Sequence, residues 1–206
     1  MKQISILIVD DHKVVRLGLK ALFETEKDLR VIGEARDGQE AISLANASKP
    51  DVIVMDILMP GLGGIEATRE IVKANADQRI LVLTSISSSD SVSAALEAGA
   101  IGAVSKSAED SVILGALKKV AKGERFIQPE IASMMAEDPP VPKLTPRQLE
   151  VLGSMTRGLT NKDIARQLGL CETRVIQHVN ALLEKIGAAN RTEAVAIALR
   201  KHLLKI

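Results

Sequence analysis

Asp51-Val52-Ile53-Val54-Met55-Asp56-Ile57-Leu58-Met59-Pro60-Gly61 decides how the first half of this chain is read. Four apolar residues lie between two acids, and the second acid is soon followed by a proline and a glycine. A short apolar run closed by turn residues predicts a strand buried on both faces. Asp56 then stands at the carboxyl end of that strand. Pro60 and Gly61 shape the turn beyond it, the glycine tolerating a backbone conformation that other residues resist.

The same arrangement recurs on either side. Residues 4–9 run into Asp10 and Asp11, residues 80–83 into Thr84, and Ala103-Val104 into Ser105-Lys106. Strands are predicted at 4–9, 30–35, 51–56, 79–84 and 101–105. Helix-period segments fall between and after them, at 13–25, 38–48, 64–75, 89–98 and 109–122. Regular alternation of the two predicts an α/β fold with a doubly wound, five-stranded parallel sheet. The carboxyl ends of parallel strands converge on one edge, where open α/β folds place their ligand crevices. Three carboxylates meeting there repel one another unless a divalent cation sits among them. With a lysine and a threonine beside them, the group suits a phosphoryl moiety: this is the chemistry of an aspartyl-phosphate switch. His12, next to the acid pair, is read as packed or solvated rather than as a metal ligand.

Composition narrows the class. The chain has 206 residues, 46% of them hydrophobic, with two Phe, no Trp and no Tyr, so its cores are aliphatic. No stretch approaches the roughly 20 apolar residues of a membrane span, and the first six residues lack a signal-peptide layout. One cysteine excludes an internal disulfide. A reducing, cytoplasmic setting without membrane association is expected. The net charge of +1 conceals an asymmetry. Residues 1–122 carry 15 basic and 17 acidic side chains, residues 123–142 one and four, and residues 143–206 eleven and five. A tail of net charge +6 on an acidic body is the electrostatic footprint of a nucleic-acid binder.

Pro139, Pro140 and Pro142 resist helix and strand alike, so 123–142 is read as a linker, with a short helix near 129–136 left open. Beyond it, helix starts are well marked. Thr145-Pro146-Arg147-Gln148 offers an N-cap hydroxyl, a proline at the first helical position and a glutamine at the third. Thr160-Asn161-Lys162-Asp163 offers a hydroxyl with an acid three residues on. Gly158 and Gly169 stop the helices before them. A third helix is predicted at about 172–186 and a fourth at about 191–203. Val175, Val179, Leu182, Leu183 and Ile186 share one face of the third. Thr173, Arg174, Gln177, Asn180 and Ala181 point away, and such a polar face can enter a major groove.

Together these motifs carry a resemblance. Residues 1–122, through Asp10-Asp11, the run from Asp51 to Gly61, Thr84 and Lys106, resemble the receiver domain of a two-component response regulator. Residues 143–206 resemble the four-helix, all-α helix-turn-helix domain of the LuxR type (NarL/FixJ family). The specific motifs are Gly158-Leu-Thr-Asn-Lys-Asp-Ile-Ala-Arg-Gln-Leu168-Gly169, His178-Val179 and Asn190-Arg-Thr-Glu-Ala-Val195. The resemblance implies a DNA-binding transcription regulator rather than an enzyme. Asp56 is the phospho-acceptor, served by a sensor histidine kinase. Asp10, Asp11, Asp56 and the backbone carbonyl of Leu58 hold Mg²⁺, while Lys106 and Thr84 meet the phosphoryl group. A homodimer forms on phosphorylation, using the final helix at about 191–202, and binds double-stranded DNA. Arg174, Gln177, Asn180 and Thr173 are candidate base-reading residues; Lys162, Arg166, Lys185 and Arg191 are candidate phosphate contacts.

The chain departs from the family pattern in two places. An aromatic residue usual in the fifth strand is Ala103, so the usual threonine–aromatic coupling cannot operate as drawn. In the recognition helix the capping serine is Cys171, a threonine is Arg174, and a groove-facing lysine is Ile176. Asn180 stands where lysine is frequent. Ile176, at the flank of the apolar stripe, is placed to pack rather than to read DNA. Either Arg174 replaces the lost charge and changes the sequence preference, or the domain is a degenerate helix-turn-helix acting through a protein partner. An aspartate-nucleophile phosphatase would want an acid two residues beyond Asp56, where Leu58 stands.

Overall fold

The computed structural model describes residues 3–85, 89–137, 144–201 and 203–204. The chain divides into two compact units, Met1–Pro139 and Pro140–Ile206. In the first, β1 (Ile4–Val9), α1 (Lys13–Glu24), β2 (Leu29–Ala35), α2 (Gly38–Ser48), β3 (Val52–Asp56) and α3 (Gly64–Ala74) lead into β4 (Arg79–Thr84). Then come α4 (Ser89–Glu97), β5 (Gly102–Ser105), α5 (Asp110–Ala121), β6 (Phe126–Ile127) and α6 (Pro129–Glu137). The strands form one sheet in the order β2-β1-β3-β4-β5-β6, every neighbouring pair parallel.

Alternation along each strand explains why the sheet must be covered twice. Leu7 and Val9, Ile53 and Met55, and Ile80 and Val82 join the core under α2, α3 and α4. Ile6 and Ile8, Val52 and Val54, and Leu81 and Leu83 join Leu19 and Phe23 of α1 and Leu117 and Val120 of α5. No aromatic is needed beyond Phe23 and Phe126; interlocking aliphatic chains fill both layers. Ser5 and Asp51 pin β1 to the entry of β3: Ser5 Oγ donates to Asp51 Oδ2 at 2.6 Å, and its N–H to the same oxygen at 2.8 Å.

Two expectations need correction. The sheet has six strands rather than five, and the stretch read as linker begins with folded structure. β6 pairs with β5, and Ile131 of α6 is fully buried against Val92, Ala95 and Ala103. A two-residue strand has no periodicity to detect, so sequence pattern alone could not find it. Pro139, Pro140 and Pro142 lie outside the described residues.

The second unit holds α7 (Pro146–Thr156), α8 (Asn161–Leu168), α9 (Glu172–Ile186) and α10 (Arg191–Arg200). Val151, Leu152, Ile164, Val175, Leu182 and Ala194 form its centre. Both anticipated capping boxes are present, Thr145 with Gln148 and Thr160 with Asp163. Cys171 caps α9 with no side-chain hydrogen bond, as its weak acceptor sulfur predicts. The fourth helix ends at Arg200, short of the expected 203. His202, the far end of the expected dimerising segment, lies outside the described residues.

Candidate functional site

The strand order reverses between β1 and β3, and the acids stand at the carboxyl ends of these strands, Asp56 as the last residue of β3 and Asp10 and Asp11 just after β1. This is the topological switch point, where adjacent crossovers leave on opposite faces and open a crevice. Asp10 and Asp56 are almost fully buried there, and Asp11 is partly exposed. Asp10 is held by its backbone as well as its carboxylate. Arg16 Nη1, one turn into α1, donates to the Asp10 carbonyl at 2.8 Å, and Asp10 Oδ1 accepts the His12 N–H at 2.8 Å. Arg16 also pairs with Glu34 on β2 at 3.4 Å, so it braces the acid loop from the side.

Lys106 crosses the crevice. Its ammonium lies 2.6 Å from Asp10 Oδ2 and 2.7 Å from Asp56 Oδ2. Thr84 sets it in place through the backbone: the Thr84 carbonyl accepts the Lys106 N–H at 2.8 Å, and Thr84 pairs with Ser105 across β4 and β5. The Thr84 side chain is itself buried at the strand end. Burial pushes the Asp56 carboxyl above its ordinary value; Lys106 opposes that shift and the Asp10 charge adds to it. Burial works against the Lys106 ammonium, but the two carboxylates outweigh it and raise its pKa. The pocket therefore concentrates negative charge that one lysine only partly balances.

The donor set matches a hard divalent cation. Oxygens of Asp10, Asp11 and Asp56, with a His12 nitrogen, all fall within 4.8 Å of one another. Small, hard ions favour such oxygens and retain waters at an open site. His12 points its Nδ1 at Asp11 Oδ1, 2.8 Å away, while remaining 68% exposed. Leu58 donates its N–H to Asp56 Oδ1 at 3.3 Å and turns its side chain to solvent.

Three supports of this site escaped the sequence reading. A Cβ on Gly64 would sit 1.9 Å from the Asp56 carbonyl oxygen, so α3 begins directly against the Asp56 backbone. Gln128, after β6, accepts the buried Ser105 N–H at 2.8 Å. Arg16 is the third. The glycine pair Gly63-Gly64 was a visible signal for a close approach; Gln128 and Arg16 carry none.

In the second unit, Thr173, Arg174, Gln177 and Asn180 are exposed on α9, with Val175, Val179 and Leu182 buried opposite. Arg174 Nη1 donates to Gln177 Oε1 at 3.0 Å. Lys162 and Arg166 are exposed on α8. Lys185 and Arg191 are set differently. Lys185 reaches back to Gln148 at 3.5 Å, and Arg191 donates to the Leu159 carbonyl and to Asn161, tying α10 to the loop before α8. Ile176, expected to pack, is 42% exposed.

An acid–lysine crevice on a parallel sheet, followed by a helix-turn-helix unit, defines a class: proteins that couple an acidic receiver to a DNA-binding head. Comparison with known families agrees. Residues 6–118 match the response regulator receiver domain, and residues 142–198 match the bacterial regulatory proteins of the luxR family. The chain is 38% identical over 209 residues to the transcriptional regulatory protein LiaR of Bacillus subtilis (strain 168), covering 98% of this chain and 99% of that protein. A crystal structure of a LuxR-family two-component response regulator from Aurantimonas sp. SI85-9A1 is 40% identical with a TM-score of 0.63. It covers 66% of this chain and 97% of its own. The response regulator RcsB in its DNA complex shares the fold at 23% identity, with a TM-score of 0.70 over 97% of this chain and 99% of that one. The chain belongs to the LuxR-family response regulators, the DNA-binding transcription regulators of two-component systems. Among the described residues no helix is long and apolar enough to cross a membrane.

Proposed function

We propose that residues 1–122 act as the phospho-acceptor domain and residues 143–206 as the DNA-reading domain, with phosphorylation of Asp56 as the input. The observation that carries this reading is the Lys106 ammonium within 2.7 Å of both Asp10 and Asp56 at the β1/β3 switch point. The Asp56 carboxylate attacks phosphorus in a phosphohistidine of a sensor kinase, or in acetyl phosphate. The new O–P bond forms as the bond to the donor's leaving atom breaks. Asp10, Asp11, Asp56 and the Leu58 carbonyl would hold magnesium, which would supply positive charge to the transferring group. Lys106 supplies a second positive group to the same charge, and the Thr84 hydroxyl donates to a phosphoryl oxygen. Asp56 takes up one group and carries it as a signal, so the chemistry is a switch and not turnover.

In the second unit, Arg174, Gln177, Asn180 and Thr173 face base edges, and Lys162 and Arg166 face phosphates. Lys185 and Arg191 reach phosphates only with donors left over from their internal bonds. Phosphorylation favours a homodimer, since a twofold protein matches paired half-sites on DNA. The family and the lone cysteine fit a cytoplasmic protein. A second reading, a helix-turn-helix that works through a protein partner, draws on the exposed Ile176 and the uncapped Cys171.

The test of the receiver assignment is phosphoryl uptake from acetyl phosphate with magnesium, followed by intact-mass spectrometry. Wild type is expected to gain one phosphoryl group and Asp56→Ala none, with an unchanged far-ultraviolet circular dichroism spectrum. Equal uptake by the variant would sink the assignment.

A further inference from the structure

The outward side of α9 carries one large apolar side chain, Ile176. Thr173, Ile176, Gln177 and Asn180 fall at i, i+3, i+4 and i+7, a single stripe on a helix, and all four are exposed. Ile176 stands in the middle of it. Arg174 and Gln177 hydrogen-bond each other, and Ile176 stays 42% exposed. An isoleucine left there forgoes the free energy of burial in the free protein. That free energy becomes available only when something apolar covers the side chain.

Two kinds of surface could do so. A protein partner needs a continuous patch, on the order of 800 Å² per side for a stable interface. One isoleucine ringed by arginine, glutamine, asparagine and threonine does not supply that. The unit is also strongly basic, with eleven basic and five acidic side chains in residues 143–206. A major groove fits both facts: it is anionic, and among base edges it offers one apolar feature, the C5 methyl group of thymine.

We propose that Ile176 is a specificity-determining residue that reads thymine, packing its branched side chain on the C5 methyl of a base near the one that Asn180 contacts. The inference rests on the DNA-reading role of α9 proposed above and names the base chemistry that role takes. It predicts half-sites containing A·T pairs, in place of the phosphate or guanine contact that a lysine at this position would favour.

The test uses the full chain and a pool of random duplexes, with and without beryllofluoride. The most enriched duplex is then remade with deoxyuridine for every thymidine, which removes only methyl groups. Wild type is expected to bind the uracil duplex about fourfold more weakly per half-site, the loss of roughly one buried methyl. Ile176→Ala should bind the thymine duplex more weakly by a similar factor and no longer distinguish thymine from uracil. Ile176→Val should keep most of the discrimination. Equal affinity of wild type for both duplexes, with binding that still falls with salt, overturns the thymine reading and leaves DNA binding standing. Discrimination that persists unchanged in Ile176→Ala overturns it too, since another side chain then reads the methyl. No salt-dependent binding of any duplex overturns both readings and returns Ile176 to a protein partner.

Discussion

Gly64 shows how narrowly the surroundings of Asp56 are drawn. Its N–H donates to the Ile57 carbonyl at 3.1 Å, and an added Cβ would meet the Asp56 carbonyl oxygen at 1.9 Å and its carbon at 2.9 Å. Because the obstacle is backbone rather than a flexible side-chain tip, Gly64→Ala must displace either Asp56 or the start of α3. We expect a cost of about 1–3 kcal/mol, in the range of other overpacked sites. Slower phosphoryl uptake should accompany it. Urea denaturation and mass spectrometry of the acetyl phosphate reaction check the two effects; an unchanged midpoint and rate would show that the loop absorbs the methyl. At this scale the sequence was most informative where charge follows an apolar run. Asp10, Asp11, Asp56, Thr84 and Lys106 could all be placed on one edge before any coordinates, since parallel strands leave them no other. Arg16 and Gln128 could not, because their partners are a carbonyl and an amide on other elements, and nothing in the local pattern marks such bonds.

At the scale of elements, α6 tests the distinction between a tether and a part of the fold. Ile131 has no exposed surface and packs on the sheet face that holds Ala103. Ile131→Ala should therefore cost about 2–5 kcal/mol, as in other buried large-to-small changes. If the urea midpoint of the first unit does not move, α6 is not integral to it. The sequence left this helix open, because Pro139, Pro140 and Pro142 marked the stretch as a linker; Pro129 opens it at its first position. A second element-scale expectation concerns acid. Asp163 accepts bonds from the Thr160 hydroxyl and backbone N–H, which hold its carboxyl below the ordinary 3.8. A depressed carboxyl contributes stability that is present above the unfolded value and is lost as pH falls through the folded one. Protection of the first-turn amides of α8 should thus drop in a window below pH 3.8. In Asp163→Ala it should already be low at neutral pH, without the acid step. Amide-exchange protection factors on the full chain decide this; an acid step surviving in the variant would assign it to another group.

Taken as a whole, the molecule separates its charges along the chain, and the basic part should declare itself in salt. Duplex affinity is expected to fall with ionic strength, with a logarithmic slope of roughly 0.9 per phosphate contact. Lys162→Ala and Arg166→Ala, both at exposed α8 positions, should each lower that slope by about 1 while leaving the preferred sequence unchanged. A slope that stays constant in both would move the phosphate contacts to other residues. The order of the two parts, sheet then helices, was legible because short apolar runs alternate with helix-period segments up to residue 122, whereas only helix patterns follow residue 143. What joins them was not, since the two-residue strand β6 is too short to have a period and the short helix α6 follows it directly, beginning at a proline. That junction also bears on the missing aromatic at Ala103. The Ser105 amide, one residue from Lys106, is bonded to Gln128, and Pro129 follows immediately as the first residue of α6. The start of α6 is thus anchored beside Lys106. Any displacement of β5 at that point acts on a buried hydrogen bond to the residue before α6, so the strand end and the start of that helix are fastened together without any turning ring.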